Sequence, residues 1–439
     1  MTLQKILSGL LVSLALYGMA EAKPSATDHV KDLGLLAAQI RELAYRPVAS
    51  QEVTQAECAA YVKNLVEKEL REKPRPAARQ EAFLRHVGLL TGPRSVKEIY
   101  IDLLTDQVRG LYDPKKKRFL VMHGPSNNMM ERGLGLLLKT IGVNMEDIYT
   151  VHEMGHAVQD QHFNLDKISH AVANDFDREL AAQALIEGDA TVVMFQFTFA
   201  KMAREDREMQ VRAVCQYDMG EDGNFLMSSG ALGRTPRFFK EALTFPYMGG
   251  SAFVNALRDR GGWKAVNGAF KKLPESTEQI FHPEKYGRDH PLRLKLERLP
   301  LDASWKSLGQ DTAGEFSIRV LAKSNGFDPN KISGWGGDRY EVFKSGSGTT
   351  ALWDTQWDDE KQATYFKRIA VHALTARHGK ATWKSISSSE GMWTWTQNGL
   401  YSQCQSRGKR VRIIFDSPTA GNLLLLGVVS AGDVAEVKS

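Results

Sequence analysis

The chain has 439 residues, 42% of them hydrophobic and 25% charged, and carries a net charge of +5. This is ordinary globular composition, long enough for two or three domains. The basic residues are dispersed apart from short runs such as Lys115-Lys116-Lys117-Arg118, which fits a solvated turn and excludes a nucleic-acid partner.

The N-terminus has the pattern of an export signal. Lys5 supplies a minimal positive region, Ile6 to Leu16 is apolar apart from Ser8, Gly9 and Ser13, and Ala20-Glu21-Ala22 places small residues at a cleavage site. Residues 1–22 are therefore expected to be removed, with the mature chain starting at Lys23 in the periplasm or outside the cell. The alternative is an uncleaved signal segment as the only membrane contact, although the apolar stretch is short for a bilayer span. Leu423 to Val429 is shorter still and suits a strand. The three cysteines, Cys58, Cys215 and Cys404, form no C-x-x-C pair, so a cysteine zinc site is not expected. Export permits one disulfide, and the odd count leaves at least one free thiol or an intermolecular bond.

From Asp28 to about Leu90 the apolar spacing predicts helices, with Pro74 and Pro76 ending one segment. Ile99 to Ile101 and Val108 to Tyr112 suggest strands. Asp113-Pro114 and the following lysines suggest a turn, and Arg118 to Met122 a return strand, which together make a β-hairpin. A helical block runs from about Glu131 to Leu257, broken by Gly261-Gly262, with a short helix over Lys264 to Lys271. Pro274 to Pro300 is loop-rich. Beyond it, strands are expected over Arg339 to Phe343, Thr349 to Trp353, Met392 to Trp395 and Val411 to Phe415, and a helix over Asp359 to Ala376. The expected fold class is α+β. A mainly helical domain with a small β-hairpin or sheet spans 23–304, and a smaller α+β domain spans 305–439.

Val151-His152-Glu153-Met154-Gly155-His156 contains H-E-x-x-H. Asn144 is a good N-cap, with Glu146 and Asp147 in the first turn, where acids complement the helix dipole. His152 and His156 then lie at i and i+4 on one helix face, within reach of one zinc ion. Glu153 lies beside them, placed to hold a water molecule rather than the ion.

A catalytic zinc takes three protein ligands and an open position. Glu187 is the candidate third ligand, on a long helix expected from Asp177 to Ala203. Gly155 and Gly188 each cost a helix about 1 kcal/mol relative to Ala, and they sit beside the proposed ligands, where missing side chains let two helices approach. His162 is the rival, at the spacing of H-E-x-x-H-x-x-G-x-x-H. That pattern needs glycine at 159; Gln159 favours helix continuation and turns His162 away from His156.

His152 to Phe163, H-E-M-G-H-A-V-Q-D-Q-H-F, resembles a group of bacterial exported or envelope proteins predicted to be zinc metallopeptidases. Their motif reads H-E-x-x-H-A-x-Q-D-Q-H-F and is followed by an E-G-D-A-type glutamate helix, here Glu187-Gly188-Asp189-Ala190. Asp106 to Pro114, Phe245 to Gly250 and Pro274 to Glu284 are similar to that group as well, so the resemblance covers roughly residues 95 to 290. It implies a zincin-like fold with gluzincin-type ligands His152, His156 and Glu187, and it supplies no substrate.

The expected chemistry is zinc-dependent hydrolysis of peptide bonds in a peptide or protein substrate, with a zinc-activated water and Glu153 as general base. Tyr247 and His282 are candidates for stabilising the oxyanion, with Tyr286 a third. Asp160 or Asp189 could orient a ligand imidazole, and the Arg118 to Met122 strand could take substrate along its edge. Two alternatives stay open: a non-catalytic, zinc-stabilised envelope binding protein, whose tryptophan-rich C-terminal part would supply a peptide or glycan surface, and a zinc amidase acting on cell-wall peptides. Oligomeric state is not legible.

Overall fold

The computed structural model describes residues 11–12, 26–72, 74–107, 110–122, 144–200, 202–216, 233–385, 391–418 and 434–435. The fold is α+β, as expected. Of the expected signal segment only Leu11–Val12 (β1) is described. The proposed cleavage site and the strand expected at Leu423 to Val429 lie outside the described residues.

The first part runs α1 (Ala26–Arg41), β2 (Ala49–Val53), α2 (Gln55–Glu72), α3 (Pro74–His86), α4 (Val96–Gln107), β3 (Gly110–Asp113) and β4 (Arg118–Met122). Pro74 opens α3 where one helix was expected to end, at a position whose missing N–H costs nothing. The stretch around Ile99 to Ile101 is helical, not a strand. Its start carries a reciprocal cap: Ser95 N donates to Glu98 Oε2 at 2.7 Å, and Glu98 N donates to Ser95 Oγ at 3.2 Å. That local signal outweighs the β-branched composition.

The hairpin β3–β4 forms, pairing Tyr112 with Phe119. The sheet order is β1-β3-β4-β2, with β2 parallel to β4. Arg118–Met122 is therefore an interior strand with both edges paired, and it cannot take a substrate along an edge. The overlooked strand in this sheet is β2, whose five residues, ASQEV, are all exposed or half-buried and so carry little apolar signal.

Next come α5 (Met145–Phe163), α6 (Leu165–Ala171), α7 (Phe176–Thr198), α8 (Arg204–Gln216), α9 (Arg237–Lys271), α10 (Thr277–Phe281) and β5 (Arg293–Leu294). Asn144 caps α5, its side chain accepting from Glu146 N at 3.1 Å. Helix α9 is broken at Gly261 and Gly262, the latter at φ +60° and ψ −159°, backbone that only glycine adopts readily.

The last part runs β6 (Lys306–Asp311), α11 (Gly314–Ser324), β7 (Trp335–Ser345), β8 (Gly348–Trp357), α12 (Glu360–His378), β9 (Thr382–Ser385), β10 (Gly391–Gln397), β11 (Leu400–Arg407), β12 (Arg410–Ser417) and β13 (Val434–Ala435). Its seven-stranded antiparallel sheet has the order β6-β7-β8-β12-β11-β10-β9. Trp335, Trp353, Trp357 and Trp395 are core residues, whereas Trp383 is 54% exposed on the terminal strand β9.

Lys306 opens this sheet next to the expected boundary, yet one hydrophobic core continues across it. Phe83 of α3 stacks on Tyr340 at 3.8 Å between centroids and meets Trp353 edge-on at 5.2 Å. Arg79 pairs with Asp311. Phe176 N donates to Asp311 Oδ1 at 2.9 Å, and Phe316 N donates to Thr277 Oγ1 at 3.0 Å. The helices of the first part thus rest on the sheet of the second.

Candidate metal centre

Helix α5 carries His152, Glu153, His156, Gln159 and Asp160; α7 carries Glu187 and Asp189; α9 carries Tyr247. Small residues set the two crossings. A methyl added at Gly155 would lie 3.3 Å from Ala190 Cβ, so α5 and α7 meet closely at that point. Gly188, contrary to expectation, does not serve that crossing. It faces α9, where an added methyl would overlap the Gly250 carbonyl, and one on Gly250 would overlap that of Ala184. The two glycines put the α7 and α9 backbones in contact, and so bring Tyr247 beside Glu187.

The donor atoms converge. His152 Nε2 and His156 Nε2 are 3.1 Å apart, and Glu187 Oε2 lies 3.2 Å from the first and 3.4 Å from the second. A tetrahedral zinc ion with bonds near ~2.0–2.1 Å has ligand atoms about 3.3–3.4 Å apart, so the triangle is one face of such a site. All three side chains are buried, with exposures of 1%, 0% and 1%. Glu187 Oε1 has no hydrogen-bond partner among the described residues, a costly state for a buried carboxylate oxygen unless a cation is close. The donor set of two imidazoles and one carboxylate suits zinc. The residues fit the ion.

The electrostatics point the same way. Burial disfavours charge on His156, but the adjacent Glu187 carboxylate outweighs it and pushes the imidazole up to about 9. Burial likewise opposes ionisation of Glu187, and the two imidazoles overcome it, taking the carboxyl down to about 2. The pocket thus favours positive charge against Glu187.

Glu153 is fully buried beside the triangle, and its Oε2 accepts the backbone N–H of Tyr112 in β3 at 2.7 Å. Tyr247 stacks on His152 with centroids 5.7 Å apart, and its phenol feels the charge of the Glu187 carboxylate. Burial and then the charges of Glu187 and Glu153 hold its phenol well above the usual range, so it stays a donor.

His282 is not part of this constellation. Its Nε2 is 3.0 Å from Glu315 Oε1 and 3.5 Å from Arg319 Nη2, in an ion-pair cluster between α10 and α11. Tyr286 donates to the Lys272 carbonyl at 2.5 Å. His162 is exposed at the end of α5, its Nε2 2.7 Å from the Ala44 carbonyl, which leaves Glu187 as the third donor.

Two expectations about orienting residues resolve differently. Asp160 contacts neither imidazole. It accepts from the Tyr112 phenol at 2.8 Å, from Lys117 Nζ at 2.6 Å and from Leu165 N at 3.1 Å, clamping the β-hairpin to the helix. Asp189 does not reach His156 directly: it accepts from Gln159 Nε2 at 2.9 Å, and Gln159 Oε1 lies 3.0 Å from His156 Nδ1. Gln159 and Tyr112 were not singled out as site residues, although both fall in motif-like stretches. Arg41, which pairs with Asp189, lies 111 residues before the H-E-x-x-H motif and had no local signal.

A second group of donors, Glu278, Asp289 and Asp358, converges as well. Lys285 Nζ sits among them at 2.6, 3.2 and 3.1 Å, so an ammonium already supplies the cation. Cys58, Cys215 and Cys404 are all buried and free, with no disulfide among them. Among the described residues no helix is long and apolar enough to cross a membrane.

Residues 300–425 match a family described as Domain of unknown function (DUF8575), which covers the seven-stranded sheet and not the metal centre. No curated protein and no solved structure matches the chain.

Proposed function

We propose that the chain is a zinc-dependent metallopeptidase, exported to the periplasm or beyond and acting on a peptide or protein substrate. One observation carries the reading: three donors form a tetrahedral face, with a carboxylate that is not a donor, Glu153, held next to them. The resemblance of His152 to Phe163 to predicted exported metallopeptidases supports it.

His152, His156 and Glu187 would hold the ion. When bound, zinc acidifies water and polarises a carbonyl. Glu153 would accept the proton of the attacking water and return it to the leaving amine. The hydrogen bond from Tyr112 N orients its carboxylate. Tyr247, kept protonated, would donate to the developing oxyanion.

The burial of His152, Glu153, His156 and Glu187, at 0–1% exposure, favours a second reading, a closed zinc site that stabilises a non-catalytic binding protein. Profiling peptide cleavage by wild type and Glu153→Gln, with zinc measured in both, separates the two. A peptidase loses ~10²–10⁴-fold in rate with zinc retained. The closed-site reading gives no cleavage by either protein. Equal cleavage by both contradicts the role of Glu153.

A further inference from the structure

Gln159 makes three contacts that together fix the direction of its amide. One end faces two pure acceptors: the Ile186 carbonyl at 2.9 Å and Asp189 Oδ2 at 2.9 Å. Asp189 also faces Arg41, whose Nε donates to its Oδ1 at 2.6 Å, and a guanidinium offers donors only. The amide NH₂ must therefore point at Ile186 and Asp189, and the amide oxygen at His156. An oxygen there can only accept, so His156 Nδ1 carries a hydrogen and Nε2 is the nitrogen left to take the ion.

Arg41 is itself held in place. Its Nη2 donates to Asn267 Oδ1 at 2.7 Å, and its guanidinium lies 4.4 Å from the centroid of Trp263. His152 has no counterpart to this support: its Nδ1 has no partner among the described residues.

We propose that Gln159 is a positioning residue of the metal centre, the middle of a relay Arg41–Asp189–Gln159–His156 that selects the ligating nitrogen of His156 and governs how tightly the ion is held. This rests on the metal reading above. A metal-bound histidine ordinarily donates its other N–H to a carboxylate, carbonyl or water, and loss of that acceptor costs 10–100-fold in affinity. Here a neutral amide takes the carboxylate's place, and the carboxylate stands one step further back. The arrangement also explains why Gln159 and Asp189 accompany the ligands in sequence: each sits on a ligand-bearing helix and reaches the other across the α5–α7 crossing.

The test is zinc affinity by chelator competition on the full chain, alongside the melting temperature of the chelated protein. Gln159→Leu keeps the volume and removes the acceptor. It is expected to bind zinc ~10–100-fold more weakly with the chelated protein still folded. Gln159→Glu keeps an acceptor for His156 but sets a second carboxylate against Asp189, and is expected to weaken binding too. Adding Asp189→Asn restores one amide and one carboxylate, and is expected to recover affinity. Wild-type affinity in Gln159→Leu overturns the relay. If Gln159→Leu does not fold, the other pair decides: no recovery on adding Asp189→Asn overturns it. A wild type that binds no zinc contradicts the metal reading itself.

Discussion

The backbone N–H of Tyr112 donates to Glu153 Oε2 at 2.7 Å, and the phenol of the same residue donates to Asp160 Oδ2 at 2.8 Å. One strand residue thus grips helix α5 at two points about two turns apart, on either side of His156. The backbone contact aims the carboxylate of Glu153, while the side-chain contact holds the β3–β4 hairpin over the helix.

Tyr112→Phe separates these roles. It strips one donor from buried Asp160 and leaves the backbone donor to Glu153 intact. A loss of ~1–2 kcal/mol of stability is expected, with zinc content unchanged. Thermal melts and metal analysis check both; an unchanged melting temperature argues against the clamp.

Two glycine substitutions on or beside α9 should move stability in opposite directions. Gly188→Ala drives a methyl into the backbone of Gly250, where no flexible side chain can give way. It is expected to cost ~3 kcal/mol or more and to disturb Glu187. Gly268→Ala meets nothing within 4 Å in a helical segment and is expected to gain ~0.5–1 kcal/mol. Melting temperatures that shift the same way for both would contradict the packing described for the α7–α9 crossing.

The H-E-x-x-H face, the Asn144 cap and the Glu187 helix were legible because each rests on local spacing and capping chemistry. The strands β7, β8, β10 and β12 were legible from alternating or aromatic runs closed by turns. What was not legible depends on tertiary pairing. The partner of β4 is the polar strand β2, far back in sequence. Gly188 looked like a feature of the ligand crossing, and its true neighbour, Gly250, is 62 residues away. His282 lies in a motif-like stretch, but its ring is taken by Glu315 of α11, 33 residues further on.

A cluster between α3 and the C-terminal sheet sets a pH dependence. His86 Nδ1 is 3.0 Å from Asp416 Oδ2, and His86 Nε2 is 3.1 Å from Thr349 Oγ1. Arg377 and His378 also face Asp416. Burial lowers the pKa of His86, with Arg377 and His378 adding to it against the pull of Asp416. The native state therefore binds this proton less readily than the unfolded chain, and stability falls as pH drops through the unfolded value of ~6.5. Burial pushes Asp416 up, but its contacts with His86 and Arg377 win and lower it. Its contribution is lost only below the unfolded value of ~3.9, a separate window. Between pH 7 and 5, His86→Gln is expected to show a flatter melting-temperature profile than wild type; parallel profiles contradict the assignment.

The most direct measurement is zinc content of purified protein, prepared without chelators, for wild type, His156→Ala, Glu187→Ala and His162→Ala. The account requires about one zinc per chain in wild type and in His162→Ala, and a strong loss in the other two. Wild type free of zinc, or loss in His162→Ala with retention in Glu187→Ala, would contradict it.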